Sequence, residues 1–135
     1  MDYVNPDRAN FDRFKAQPRE TPMHLLNMIR YREHADYPEG HPCAGLGWSG
    51  ERAFEEYFRL LAPFIDRLGG GIAWQGTFEG VITGPASFEW DRVFVMAFPT
   101  AGAFLALVTD PDYKAQVVGH RTAGVQDSRL VRYRP

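Results

Sequence analysis

Residues 23–31 read MHLLNMIRY, and this stretch decides the fold. Successive side chains of a strand point to opposite faces, so its odd-numbered residues face one way and its even-numbered residues the other. Both sets are largely apolar, which predicts a strand covered on both faces. A second run, VFVMAF at residues 93–98, is continuously apolar and predicts another central strand.

The patterns on either side of these two strands complete a single domain. The expected elements are a strand over 23–31, a helix over 50–68, strands over 72–83 and 91–98, helical segments over 100–123 and a strand over 126–133. The order is βαββαβ. It predicts an α+β fold with a four-stranded antiparallel sheet and helices on one face, the ferredoxin-like plait.

The expected helices leave one face of the sheet uncovered. Because the central strands are apolar on both faces, the second face must also be kept from water. A symmetric homodimer that packs sheet against sheet would do this. Bulky side chains from the N-terminal residues are the alternative cover.

Two segments lie outside the regular pattern. Residues 1–21 are expected to form an N-terminal helical arm, with a helix starting at Asn5-Pro6, and residues 22–135 to form the domain. The arm either patches the domain surface or binds a protein partner. Residues 32–50 are rich in Pro and Gly and predict a long loop, and such loops are usually functional or disordered.

The composition excludes several classes of protein. The chain of 135 residues has 15 Lys+Arg against 17 Asp+Glu, a formal charge of -2, which argues against nucleic-acid and polybasic membrane partners. One cysteine excludes an intrachain disulfide. No signal peptide or membrane-spanning run is evident, so a soluble, cytoplasmic protein is expected. Phosphate-binding glycine loops and paired-cysteine motifs are absent, so no cofactor is expected.

The last predicted helix carries the strongest catalytic candidates. Tyr113, His120 and Gly124 recur on one face at helical spacing, with Arg121 turned away from them. His120 is suited to act as a general base near neutral pH, and Arg121 to bind a carboxylate or enolate. In the alternative, His120 makes a structural hydrogen bond and Arg121 a surface or dimer-interface ion pair.

Ligand-binding candidates lie elsewhere in the chain. Asn27 and Tyr31 are polar points on a buried strand and must find a partner, either a ligand or a backbone group. Trp74 either lines a cavity or belongs to the core. His41 in the long loop is a candidate for covering the cavity, and Tyr113 for orienting the ligand. The His and Cys residues of the loop match no compact metal-ligand spacing, so no metal site is expected.

An ordered series of short motifs carries a resemblance to a known family. The motifs are Gly50-Glu51-Arg52-Ala53-Phe54-Glu55-Glu56-Tyr57, Leu68-Gly69-Gly70-Gly71-Ile72, Trp90-Asp91-Arg92-Val93, Phe98-Pro99-Thr100, Asp110-Pro111-Asp112-Tyr113, His120-Arg121 and Asp127-Ser128-Arg129-Leu130. From about Met23 to Arg132 the series resembles domain-of-unknown-function family 1330, of the dimeric α/β-barrel superfamily. Residues 27–31 and the His41-Pro42 loop resemble a long-loop branch of it.

The resemblance implies a ferredoxin-like homodimer, a dimeric α/β barrel with a cavity between helices and sheet, and no established reaction. Relatives in the superfamily include cofactor-free monooxygenases, isomerases, dehydratases and simple binders. We therefore expect a small-molecule-binding homodimer, an enzyme without cofactor that acts by proton transfer or oxygenation on a small carbonyl compound or aromatic acid. A non-catalytic ligand-binding or dimerisation module is the alternative.

Overall fold

In residues 2–135, the part of the chain that the computed structural model describes, four α-helices flank a four-stranded sheet. The elements are α1 (Arg8–Ala16), β1 (Met23–Tyr31), α2 (Gly50–Arg67), β2 (Gly71–Thr77), β3 (Arg92–Phe98), α3 (Ala101–Thr109), a π-helical turn (Tyr113–Val117), α4 (Val118–Gly124) and β4 (Val125–Tyr133). None of the helices within these residues combines the length and apolar character needed to cross a membrane.

The sheet is antiparallel, with the strand order β2-β3-β1-β4. The prediction of an α+β fold with a four-stranded antiparallel sheet and with β1 and β3 as its central strands is confirmed; β2 and β4 form the edges. Leu25 of β1 lies opposite Met96 of β3 and Arg132 of β4. This order and the βαββαβ succession are compatible with a ferredoxin-like plait, and the sheet of the single chain is open.

The observed ends of the helices and strands agree with the predicted ends except at two places. The predicted strand over 72–83 is wrong at its C-terminal end, because β2 stops at Thr77. Phe78 still donates its N–H to the Asp91 carbonyl at 3.0 Å, but β3 begins next to Asp91 and offers no partner to later residues. Gly84, with a positive φ of 149°, and Pro85 then suit a turn rather than a strand.

The second exception is the start of α1. The helix is capped by Asp7 rather than by Asn5, because the Asp7 carboxylate accepts the Asn10 N–H at 2.8 Å. Further along, Phe14 meets Phe104 edge to face at 5.5 Å, and Gly102 donates its N–H to the Arg19 carbonyl at 2.8 Å. The arm therefore packs on the helical side of the sheet.

The core lies between the helices and the sheet. The odd-numbered residues of β1 from Met23 to Ile29 are buried there, against the apolar face of α2. Ser49 caps α2, and Gly69, with a φ of +74°, follows its end. The largest fully buried side chains are those of Met23, Ile29, Phe54, Leu61, Phe94, Val117 and Val125.

Within residues 2–135, no helix lies on the opposite face of the sheet. The even-numbered residues of β1 are only half-buried there, and Trp74 and Tyr133 at the two edges are each 56% exposed. A shallow hollow of about 260 Å³ on this face is lined by His24, Leu26, Val95 and Tyr133. We call this surface the open sheet face.

Candidate functional site

His120 of α4 lies beneath the long loop and is only 9% exposed. Its Nδ1 is 2.7 Å from the phenolic oxygen of Tyr37, which the loop contributes. In one tautomer the phenol donates to Nδ1, and in the other Nδ1–H donates to the phenol. Within residues 2–135, His120 Nε2 makes no hydrogen bond, so it is the ring nitrogen without a partner.

Backbone hydrogen bonds hold the loop against the end of α4. Arg32 donates its N–H to the Gly124 carbonyl at 2.8 Å, and Asp36 donates to the Ala123 carbonyl at 2.9 Å. Ala35 donates to the Trp48 carbonyl at 2.9 Å, which joins the two ends of the loop. Because Asp36 is bonded to Ala123, the next residue, Tyr37, is held next to His120.

His41 completes a group of three rings, which we call the ring cluster: Tyr37, His41 and His120. The His41 ring stacks on Tyr37 with centroids 4.6 Å apart, and it meets His120 edge to face at 5.6 Å. His41 Nδ1 accepts the Cys43 N–H at 3.0 Å, which fixes the orientation of the ring. The structure thus brings together two of the predicted site residues, His41 and His120.

Charged side chains of α2 border the ring cluster. Glu56 binds Arg52 at 3.2 Å and also pairs with Arg59, and the Arg52 guanidinium lies 4.0 Å from the centre of the Trp48 ring. Arg52 and Glu56 are four residues apart, so they share one face of the helix. The cluster therefore has a cation and an anion of the same helix within electrostatic reach.

Burial sets the protonation state of His120 and of Tyr37. It lowers the pKa of His120 below its usual value of 6.5; the Glu56 carboxylate opposes this shift, and His41 and Arg52 add to it. Burial, with contributions from Cys43 and Glu56, raises the pKa of Tyr37 to about 12. Near pH 7 both His120 and Tyr37 are neutral, so the imidazole is able to take up a proton.

Tyr113 points into the core rather than toward the ring cluster. It begins the π-helical turn, and its phenolic oxygen is 2.9 Å from that of Tyr57 on α2. Burial and the neighbouring Tyr57 raise the pKa of Tyr113, and burial also raises that of Tyr57. The two phenols are therefore a neutral pair at ordinary pH.

Arg121 follows His120 but has different neighbours. It is 8% exposed, and its guanidinium donates to the Val4 carbonyl and, at 3.3 Å, to Ser128 Oγ. Within residues 2–135 it has no carboxylate partner. His120 and Arg121 thus do not converge on one space in this structure.

The other three predicted ligand-binding residues lie apart from the ring cluster. Asn27 donates its side-chain amide to the Leu25 carbonyl at 3.0 Å. Tyr31 packs on Phe54 at 5.6 Å, and burial raises its pKa against the opposing effect of Arg92. Trp74 lies opposite Val95 on the open sheet face, on the other side of the sheet from the helices.

Sequence reasoning missed Tyr37, Tyr57 and the pair Arg52–Glu56. The spacing of Arg52 and Glu56 is a visible signal for an ion pair on α2. Tyr37 carries no local signal, because its place depends on the loop path.

No group of three or more potential metal-binding side chains occurs in the part of the chain described here. An apolar hollow of about 140 Å³ lies between α2 and the start of β2, lined by Phe58, Leu61, Ala62, Ile65, Asp66, Gly71, Ile72 and Met96.

Two solved structures resemble this chain along its whole length. The crystal structure of RPA0582, a protein of unknown function from Rhodopseudomonas palustris, matches with a TM-score of 0.89 and 38% identity, over 100% of this chain and 98% of that one. The chain belongs to the RPA0582 family. A crystal structure of methylated RPA0582 matches with a TM-score of 0.89 and 40% identity, over 99% of this chain and 95% of that one. No protein-family model and no curated protein matches the sequence.

Proposed function

We propose that the protein catalyses proton transfer on a small carbonyl compound or aromatic acid without a cofactor, with His120 as the general base. One observation carries this proposal, the 2.7 Å hydrogen bond between Tyr37 and His120 Nδ1 under the loop. A neutral imidazole that is held at one nitrogen and unoccupied at the other is the arrangement a general base requires.

In this mechanism His120 Nε2 takes a proton from a carbon next to the carbonyl group. The electron pair of the broken C–H bond passes to the carbonyl oxygen and forms an enolate. This step requires the tautomer in which Nδ1–H already donates to the Tyr37 oxygen and Nε2 carries the free electron pair. The imidazolium keeps the Nδ1–H hydrogen bond to Tyr37, which holds the new cation in place. Return of the proton to the same or a different carbon completes an exchange or an isomerisation.

The developing negative charge needs a cation near His120. Arg52 is better placed for this role than Arg121, because it acts on both His120 and Tyr37, whereas Arg121 is turned toward Val4 and Ser128. His41 is stacked on Tyr37 and limits the access of water to Tyr37 and His120.

We also propose that the protein forms a homodimer through the open sheet face, as in a dimeric α/β barrel. The exposed Trp74, Val131 and Tyr133 and the hollow between His24 and Val95 support this, since such a patch on a small chain is costly to leave in water.

The strand order and the ordered motifs from Gly50 to Leu130 support the assignment to domain-of-unknown-function family 1330 and its long-loop branch.

The proton-transfer proposal is tested by hydrogen–deuterium exchange on probe compounds. Pyruvate, phenylpyruvate and acetoacetate are incubated with the protein in D₂O, and the loss of their α-proton NMR signals is followed. We expect accelerated exchange on at least one probe and its loss in His120→Gln. His34→Gln, at a histidine whose side chain is 83% exposed, is the matched control and should exchange normally. Equal rates for wild type and His120→Gln would overturn the proposal.

A non-catalytic binding module is the second candidate. It is favoured by the low exposure of His120, since a closed ring cluster suits a structural role as well. The same samples separate the two functions. Saturation-transfer signals from a probe whose α-protons do not exchange would identify a binder, whereas exchange that depends on His120 would identify the enzyme.

A further inference from the structure

Residues 2–4 lie across the buried Arg121. We call residues 2–4 the N-terminal strap. The Val4 carbonyl accepts a hydrogen bond from Arg121, and the Val4 side chain packs against the core. The strap therefore fills the space in front of a guanidinium that the proposed proton transfer does not use.

Polar contacts with β4 hold the strap in place. Tyr3 donates its N–H to Asp127 at 2.7 Å, and Ser128 Oγ donates to the Tyr3 carbonyl at 2.7 Å. Gln126 donates its side-chain amide to the Asp2 carboxylate, also at 2.7 Å. The Arg129 guanidinium also lies 5.0 Å from the centre of the Tyr3 ring. All of these contacts are with side chains of β4, so release of the strap would break no backbone hydrogen bond of the sheet.

The surroundings of Arg121 are unusual for a buried cation. Buried arginines are normally paired with a carboxylate, because an unpaired buried charge is costly. Arg121 instead donates to one carbonyl and one hydroxyl, both of them neutral. A guanidinium offers two parallel N–H groups that match the two oxygens of a carboxylate. The Val4 carbonyl and the Ser128 hydroxyl thus match the guanidinium N–H groups less well than a carboxylate would.

We propose that Arg121 and Ser128 form a carboxylate-binding site that the N-terminal strap occupies in this structure and that a small carboxylate ligand displaces. Asn27 faces the same side of the sheet as Ser128, and the two are separated by one diagonal step in the β1–β4 register. Asn27 is therefore a neighbour for the rest of such a ligand. This inference goes beyond the proposed function, because binding at Arg121 requires no proton transfer at His120.

The strap competes with the ligand, so any change that weakens the strap strengthens ligand binding. Tyr3→Pro removes the N–H that is donated to Asp127 and leaves Arg121 and Ser128 intact. Tyr3→Phe is the matched control, because it keeps this N–H and the aromatic ring. One hydrogen bond to a charged group corresponds to roughly a tenfold change in an equilibrium constant.

The experiment titrates the full-length protein with benzoate, and with benzamide as the neutral analogue, and follows the ¹H–¹⁵N spectrum. We expect benzoate to bind and to make the amides of residues 2–4 mobile, while benzamide does neither. Tyr3→Pro should bind benzoate about tenfold more tightly than wild type, and Tyr3→Phe should match wild type.

Arg121→Lys keeps the charge but loses the paired N–H groups, so we expect it to weaken benzoate binding about tenfold. If Arg121→Lys fails to fold, the comparison of Tyr3→Pro with Tyr3→Phe decides. The proposal is overturned if benzoate does not bind, if it binds while residues 2–4 stay ordered, or if Tyr3→Pro binds no more tightly than wild type.

Discussion

The phenolic oxygen of Tyr37 lies 2.7 Å from His120 Nδ1, although the two residues are 83 positions apart in the chain. This bond ties the long loop to the last helix. It also determines which nitrogen of His120 is available, and so it links the stability of the loop to the chemistry we propose.

Removing the Tyr37 hydroxyl should destabilise the fold. In Tyr37→Phe the ring keeps its place, but His120 Nδ1 loses its partner in a buried position. We expect a loss of about 1–2 kcal/mol in the free energy of unfolding, measured by urea denaturation. Tyr3→Phe, at a tyrosine that is 44% exposed and whose phenol makes no hydrogen bond within residues 2–135, is the control and should lose almost nothing. Equal stabilities of the two variants would show that the hydrogen bond contributes little.

The stability of the protein should fall as the pH drops below 6.5. Burial lowers the pKa of His120 in the folded state, so the unfolded chain binds a proton first as the pH falls. The contribution of neutral His120 to the free energy of unfolding is complete above pH 6.5. It is lost as the pH falls from 6.5 to the lower pKa that His120 has in the folded state. Urea denaturation between pH 5 and 8 should show this slope in wild type and a shallower one in His120→Gln. An unchanged slope in that variant would contradict the assignment.

Two glycines allow α2 and α4 to approach closely. A Cβ atom at Gly124 would lie 2.5 Å from the Gly50 carbonyl oxygen, and one at Gly50 would lie 2.1 Å from the Arg32 carbonyl oxygen. Because these contacts are with backbone, we expect Gly124→Ala to cost about 3 kcal/mol. Gly119→Ala, in the same helix but with open space around it, should stabilise the protein by about 0.5–1 kcal/mol. Thermal unfolding of both variants checks this, and a tolerated Gly124→Ala would show that the helices separate easily.

The phenols of Tyr57 and Tyr113 should show strong coupling in a double-mutant cycle. Each is buried and bonded to the other at 2.9 Å. Removing one hydroxyl leaves the other without a partner, so each single Tyr→Phe change should cost about 1–3 kcal/mol. The double variant should cost less than the sum of the two, because no unpaired hydroxyl remains. Additive losses would mean that the hydroxyls do not depend on each other.

Much of the fold was predictable because its signals are local. The alternation in residues 23–31 predicts β1 with the bounds observed, and the predicted helix over 50–68 ends within one residue of α2. The end of β2 was not predictable in this way, since it depends on where β3 begins. Strand pairing, rather than the sequence of the strand itself, sets that limit.

The candidate site was predictable only in part. His120 follows from helical spacing, but Tyr37 reaches it because Ala35 and Asp36 bond to backbone far away in the sequence. The direction of Arg121 likewise depends on Val4 and Ser128, which no spacing in α4 indicates. Long-range backbone contacts of irregular segments leave no periodic pattern in a sequence.

The proposed chemistry depends most on His120 being a neutral base that Tyr37 holds in place. An NMR titration of its imidazole between pH 4 and 8, in wild type and in Tyr37→Phe, tests this directly. We predict a pKa below 6.5 in wild type and a ring ¹⁵N shift at Nδ1 that changes in Tyr37→Phe. A wild-type pKa at or above 6.5, with ring shifts unaffected by the loss of the Tyr37 hydroxyl, would contradict the account.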